Sequence, residues 1–467
     1  MPCTKKPVAG LLPFYLKLYD DLQPDRRSGF TEFLQRITQA LEARGIRVAP
    51  APVCRVADEF AHAVQDFERQ GVNCIITLHL AYSPSLEALD AFCETRLPII
   101  ILDTTMDADF GLSVQPSRIM YNHGVHGVMD FASMLRRRKR AFEIVAGHDS
   151  DPRLMDRTAE LVRAAVAAGS LRGIRALRVG HPFQGMGDFS VAEAVLAEKL
   201  GVTVKQIGLD ELDAAVLQVT PDAIAREVAA DRERFRCELS EDAHARSVRV
   251  GLGLRKILEE GGFKALSVNF QAFTTRERPS DTMPFLEISK AMERGVGYGG
   301  EGDVLTAALA GALASAFGAV TFTEIFCPDW AGDSLFLSHM GEVNPAVAGE
   351  QPRVLSKPFF LGGARDPAIL TCAARPGPAV FVNLAPGPDD SFTLIVSPVD
   401  VLAEGDTLDS EMRDAIRVWI RPRGGVADFL EAYSRAGGTH HSALVLGDHL
   451  AAIQAFGRMI GLQTQEM

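Results

Sequence analysis

The stretch Val72–Asp103, VNCIITLHLAYSPSLEALDAFCETRLPIIILD, decides how this chain folds. Two of its runs, Cys74–Leu80 and Pro98–Asp103, are nearly continuous apolar segments dominated by Ile and Leu. Strands apolar on both sides must be covered on both faces, the condition of a parallel sheet clad in helices. Between these runs, Ser85–Thr95 carries apolar residues at the spacing of one helical face. Parallel neighbours need a crossover connection, and a helix supplies it. The stretch therefore predicts a βαβ unit. The same alternation extends toward the N-terminus. Val8–Phe14 and Gly45–Val53 read as strands, Thr31–Ala43 and Ala57–Gln70 as amphipathic helices, with Asp58, Gly71 and Ser83-Pro84 as cap and turn residues.

A second α/β stretch opens near Asp151. Pro152–Ala168, Ser190–Leu200, Pro221–Cys237 and Asp242–Glu260 read as helices; Ala176–Gly180, Thr203–Leu209 and Ala265–Phe270 read as strands. No GxGxxG follows the first strand of either half, and GLGLRK (Gly251–Lys256) sits inside a helical pattern, so no nicotinamide site is expected. Beyond about residue 320 short strand-like runs alternate with Gly/Pro turns: Thr321–Phe326, Leu335–His339, Ile369–Ala373, Ala379–Leu384, Thr393–Val396 and Ile416–Ile420. That texture predicts antiparallel β structure. The tail Val426–Leu462 reads as helical, broken by the turn GGTHHSA. The expected fold class is α/β: two parallel-sheet domains over residues 1–150 and 151–320, then an antiparallel β domain over 321–467 with terminal helices. Three domains also suit 467 residues at roughly 150 per domain.

Composition narrows the function. The formal net charge is −12, against the phosphate-neutralising surface a nucleic-acid binder needs. The basic run Arg136–Arg140 reads as the exposed last turn of a helix, where cations suit the dipole. No apolar run reaches the roughly 18 residues of a membrane span. The start, MPCTKKPVAGLLPF, reads as a first strand and not as an export signal. Seven scattered cysteines without a CxxC pair suit a reduced compartment. A cytoplasmic protein with no nucleic-acid or membrane partner is expected.

Four segments place ionisable groups among apolar or glycine residues. In YGGEGDVLTAAL, Glu301 stands at the start of a helical run between glycines. In VTFTEIFCPD, Phe322, Glu324 and Phe326 share one strand face. A buried, unpaired carboxylate there costs several kcal/mol, by roughly the amount that a cation or a raised pKa must offset. His339 ends the apolar run of LFLSHMGEVNP, followed by Glu342, and His440 and His441 stand together in GGTHHSALVLG at a loop-to-helix junction. Adjacent residues point in different directions, so one of the two faces a shared site. Glu301, Glu324, His339 and one of His440 and His441 make a carboxylate–imidazole set suited to an open octahedral Mn²⁺, Co²⁺ or Fe²⁺ site.

At these residues the chain resembles the L-arabinose isomerase and L-fucose isomerase family. EGDVLTAAL, FTEIF, SHMGEV and GGTHHSA match its metal-binding segments in order and approximate spacing, and AFTTRERPSDTMPFLEISKAMERGVGYGGEGD resembles the stretch leading into the first ligand. LHLAYSPS, LPIIILDTT and YNHGVHGVMDFA resemble its N-terminal domain, so the likeness covers most of the chain. The resemblance implies two Rossmann-like, doubly wound domains followed by a β-barrel-like domain. It implies Mn²⁺, or another divalent ion such as Co²⁺, Fe²⁺ or Mg²⁺, held by Glu301, Glu324, His339 and His441, with the two glutamates as acid and base. It places His126, His123, Met186, Phe273 and His440 among the substrate contacts, His126 reaching into a neighbouring subunit's site. A homo-oligomer, trimer or hexamer, is implied.

The implied chemistry accounts for the residue types. Aldose–ketose isomerisation moves a proton between C1 and C2 of an open-chain monosaccharide through an enediol, and a divalent Lewis acid stabilises the developing charge. Ligands must be ionised carboxylates and neutral imidazoles, so activity should fall in acid. The chain departs from arabinose isomerases at CPDW after FTEIF, where they carry Asp-Tyr, at His123, where they carry glutamine, and after SHMGEV. A substrate other than L-arabinose is expected: another pentose, a branched or deoxy sugar, or a hexose. The competing expectations are a non-catalytic sugar-binding or regulatory protein, and a metal-dependent aldolase or dehydratase on the same site.

Overall fold

In the computed structural model, which describes residues 6–405 and 408–467, Val72–Asp103 folds as a strand Cys74–His79, a helix Ser85–Glu94 and a strand Ile99–Asp103. The two strands run parallel, Ile75 opposite Ile99 and Leu78 opposite Leu102. All six residues of Cys74–His79 are buried, as a strand clad on both faces requires. Residues 1–5, Cys3 among them, and 406–407 lie outside the described residues.

The chain divides into two compact units. One comprises residues 6–169 together with 451–461. Its five-stranded sheet has the order Arg47–Pro50, Val8–Phe14, Cys74–His79, Ile99–Asp103, Glu143–Ala146, parallel throughout. An aromatic core lies on this sheet: the Phe14 ring is 4.6 Å from Phe60, 5.7 Å from Phe92 and 5.3 Å from Phe131. His79 ends the central strand, its ring 4.4 Å from Phe14, and neither ring nitrogen has a hydrogen-bond partner. Its burial holds the pKa down at about 3. The basic run falls where expected, at the end of the helix Val125–Arg137.

The other unit comprises residues 170–450 with 462–467. It holds a parallel sheet ordered Gly297–Gly300, Ala265–Val268, Arg175–Val179, Thr203–Ile207. It also holds a closed antiparallel ring. Gly377–Pro386 pairs with both His441–Leu446 and Phe392–Val401; the circuit continues through Val320–Asp329, Ser334–Ser338 and Val418–Pro422 back to Phe392–Val401. Closure removes the free edges that an open sheet would leave unpaired. Gln463–Glu466 adds a parallel strand beside Phe392–Val401. The ring is filled by residues such as Leu335, Phe381, Ile395, Ile420 and Leu444. Two parallel α/β sheets and an antiparallel barrel-like sheet are thus the observed fold class.

Three readings are corrected. The tail is not helical throughout: His441–Leu446 is a strand with all six residues buried, between the helices Val426–Arg435 and Leu450–Ile460. A short apolar run such as ALVL has no periodicity that separates strand from helix. The expected helix Pro221–Cys237 stops at Arg234, and Arg236–Glu238 pairs as a strand with Arg353–Ser356. Ser190–Leu200 is helical only from Glu193, ending in a π turn at Leu196–Leu200. Among the described residues no helix is long and apolar enough to cross a membrane. The six described cysteines are all free.

Candidate active site

The strand Gly297–Gly300 ends at the carboxyl edge of its parallel sheet, the edge where open α/β sheets bind ligands. Glu301 follows in the left-handed conformation, φ 60°. For a residue with a side chain that costs about 1–2 kcal/mol, a strain often retained at functional positions. Glu301 therefore stands in the turn before the helix Val304–Phe317 and not on its first turn. Asp303 caps that helix, its Oδ1 accepting from the Thr306 N–H at 2.9 Å. Gly300 packs tightly under both imidazoles: a Cβ would come within 3.2 Å of His339 Cε1 and 3.4 Å of His441 Cε1.

The other three residues stand on neighbouring strands of the ring. Glu324 lies opposite His441 on one side and Ser338 on the other, and His339 follows Ser338. Phe322 and Glu324 share a face as expected, but a bulge between Ile325 and Cys327 shifts the register, and Phe326 is 42% exposed. His339 Nε2 is 3.8 Å from Glu324 Oε2, and His441 Nε2 is 3.6 Å from Glu301 Oε2. The His339 and His441 rings are 6.0 Å apart, with Phe322 edge-on to both at 4.8 and 5.0 Å.

Each imidazole is held from behind by a buried carboxylate. His339 Nδ1 pairs with Glu342 Oε1 at 2.7 Å and His441 Nδ1 with Asp303 Oδ2 at 3.0 Å. Such bonds fix the tautomer that leaves Nε2 as a free lone pair, the arrangement behind metal-ligating histidines. His441 Nε2 is buried with no hydrogen-bond partner. That orphaned atom, the glycine cradle and the donor set fit a divalent cation. Two overlapping groups, Glu301/His440/His441 and Glu324/His339/His441, each bring their ligand atoms within 4.8 Å of one another. Asp303 announces itself in sequence only as a capping residue before an apolar run, and Glu342 only as the carboxylate three residues after His339.

Electrostatics tie the cluster together. Burial opposes a charge on Glu301, but the nearby His440, His441 and His339 hold its pKa below the usual range. Burial likewise opposes charge on His339, yet Glu342, Glu324 and Glu301 raise it. His440 is raised to about 10 against its burial, by the hydrogen bond to Asp188 and the nearby Glu301 carboxylate. A 500 Å³ cleft lined by His181, Gln184, Asn269 and Gln271 opens at the same sheet edge. A smaller cavity beside Glu301, His339 and Glu342 is walled by Phe270, Met283, Met340 and Leu361.

The remaining named residues are dispersed. Met186 is half-buried in the loop after Arg175–Val179. Phe273 is 1% exposed in the core of the parallel sheet, while Phe270 is the ring that borders the small cavity. His123 and His126 belong to the other unit. There His123 Nε2 meets the Tyr19 hydroxyl at 3.1 Å, and His126 is exposed.

The fold and this cluster define an α/β enzyme with a mixed carboxylate–imidazole centre at the joint of a parallel sheet and a barrel. Residues 178–317 match the L-arabinose isomerase central domain and residues 319–463 the L-arabinose isomerase C-terminal domain. The chain is 30% identical over 432 residues to L-arabinose isomerase of Nocardioides sp., covering 88% of this chain and 84% of that one. It is 28% identical over 449 residues to L-arabinose isomerase of Acidothermus cellulolyticus, covering 92% and 88%. Against that of Anoxybacillus flavithermus it is 28% identical over 407 residues, covering 83% and 79%. The chain belongs to the L-arabinose isomerase family, and so to the aldose–ketose isomerases, which are intramolecular oxidoreductases.

Proposed function

We propose that the protein interconverts an open-chain, unphosphorylated aldose and its ketose by proton transfer through an enediol, with a divalent metal, Mn²⁺ first, held by Glu301, Glu324, His339 and His441. The observation that carries this reading is the buried, unpartnered Nε2 of His441 facing Glu301 while Asp303 occupies Nδ1. A divalent cation, when bound, supplies Lewis-acid stabilisation of charge developing on the sugar oxygens. The chain's own groups do the rest. Glu301 and Glu324 form the pair that takes the proton from C2 and returns one at C1. Asp303 and Glu342 hold the imidazoles in the tautomer a cation requires. The imidazoles, amides and apolar walls of the two cavities suit a neutral polyol.

The departure after Glu324 favours a sugar other than L-arabinose, the substrate named for the relatives. Assembly as a trimer or hexamer, with His126 reaching a neighbour's site, and division into domains 1–150, 151–320 and 321–467 belong to the same proposal, as does a cytoplasmic setting. The test is incubation of the Mn²⁺-loaded protein with a panel of pentoses and hexoses, L-arabinose included, in D₂O. At least one should give ketose carrying solvent deuterium at C1. Ketose without deuterium would replace proton transfer by a hydride shift, and no ketose from any sugar with metal bound would overturn the reading.

A further inference from the structure

One loop beside the cluster, Gly185–Phe189, is claimed by no sequence pattern apart from Met186. It lies between the strand Arg175–Val179 and the helix beginning at Glu193. Within it, Asp188 Oδ2 accepts from the His440 backbone N–H at 2.9 Å and pairs with His440 Nδ1 at 2.6 Å. A single carboxylate oxygen thus fixes both the backbone and the ring torsion of one residue. With Nδ1 engaged, the opposite nitrogen is delivered to the acid: His440 Nε2 is 3.7 Å from Glu301 Oε2.

The next residue performs the same service for the next histidine. Phe189 is buried and lies parallel to His441, centroids 5.1 Å apart and planes 13° from one another. The chain just ahead of the loop is tied to the Glu301 turn, since the Phe183 N–H donates to the Glu301 carbonyl at 2.9 Å. Two consecutive residues of one loop therefore hold two consecutive residues 252 positions further along the chain.

We infer that Asp188 and Phe189 form a positioning clamp, in which Asp188 keeps His440 Nε2 turned toward a sugar oxygen beside Glu301 and away from the metal. This rests on the isomerase reading above. It assigns His440 and His441 different tasks although both stand within ligand distance of Glu301. Were His440 instead a metal ligand, Asp188 would be its orienting carboxylate, and removing Asp188 would weaken the metal.

The test is a double-mutant cycle of Asp188→Ala and His440→Ala, with Asp188→Asn as the conservative variant. Three quantities are read on the full chain: Mn²⁺ affinity, ribitol affinity of the Mn²⁺-loaded protein, and kcat and KM on the aldose turned over. Asp188→Ala should lower kcat/KM and ribitol affinity by about 10- to 100-fold, the range for losing a hydrogen bond to a charged group. Mn²⁺ affinity should stay within about twofold, and the double variant should be no worse than His440→Ala alone, because coupled residues are not additive. Asp188→Asn should recover most of the loss, since its amide oxygen can still accept both N–H groups. Multiplying effects in the double variant, or Mn²⁺ affinity falling in step with activity, would overturn the clamp. A wild-type protein that binds Mn²⁺ and isomerises no sugar would sink the isomerase reading alone. The ribitol arm of the cycle would still decide the clamp.

Discussion

Replacing Asp303 by Asn separates the two tasks of one side chain. Its Oδ1 accepts from the Thr306 N–H and caps a helix; its Oδ2 accepts from His441 Nδ1. Asparagine can keep its oxygen on Thr306, but it then presents an NH₂ group to His441. Two donors cannot face each other, so Nδ1 must become the acceptor and the ring proton must move to Nε2. That proton occupies the lone pair aimed at Glu301, 3.6 Å away. Losing the carboxylate that orients a ligating imidazole costs about 10- to 100-fold in metal affinity, or about 1.4–2.7 kcal/mol. The helix cap survives, so the metal-free protein should melt close to wild type. Asp303→Ala differs: it loses the cap, about 1 kcal/mol, and strands a buried His441 nitrogen, about 1–3 kcal/mol. Calorimetric Mn²⁺ titration and thermal melts with and without Mn²⁺ read both quantities. Expected are weak Mn²⁺ binding in both variants and a lowered metal-free melting temperature only in Asp303→Ala. Wild-type Mn²⁺ affinity in Asp303→Asn would refute the tautomer argument.

Three further outcomes are expected. His441→Ala should weaken Mn²⁺ binding at least about 100-fold while His440→Ala changes it by less than about tenfold, the difference between losing a ligand and losing a neighbour; equal losses in the titration would contradict the choice of His441. His126→Ala should reduce turnover in the assembled protein and leave its metal content unchanged, and a monomer of full activity in a sedimentation-checked assay would contradict a shared site. The His79 pKa is lowered in the folded chain from 6.5 to about 3, so the folded state favours the neutral ring. The unfolded chain gains a proton first as pH falls, so this contribution to stability is complete above about 6.5 and drains away toward about 3, by about 1.4 kcal/mol per pH unit. His79→Phe, a ring set among Phe14 and Phe131, should therefore lose less stability than wild type between pH 7 and 4.5 in urea titrations. Identical pH dependence in both proteins would count against the assignment.

What was legible in the chain, and what was not, follows from the range of each interaction. Cys74–His79 and Ile99–Asp103 declare themselves because burial on both faces leaves no polar residue in the run. Glu301, Glu324, His339 and His441 stand out for the converse reason: an ionisable group in an apolar or glycine setting needs a partner that the local sequence does not supply. The partners themselves are invisible locally. Asp303 meets His441 across 138 positions and Asp188 meets His440 across 252, and a pairing at that separation leaves no period or spacing to read. Misreading the strand at His441 as a loop-to-helix junction had the same origin, because only its neighbours in the ring, Val320–Asp329 and Gly377–Pro386, determine that HSALVL is extended. That misreading concerns more than secondary structure. The pairing with Glu324 places His441 over the buried cluster, whereas His440 stands one residue before the strand and is oriented by the loop carrying Asp188. The two rings are 4.2 Å apart and both approach Glu301, so what distinguishes them is the carboxylate that holds each Nδ1, Asp303 for His441 and Asp188 for His440.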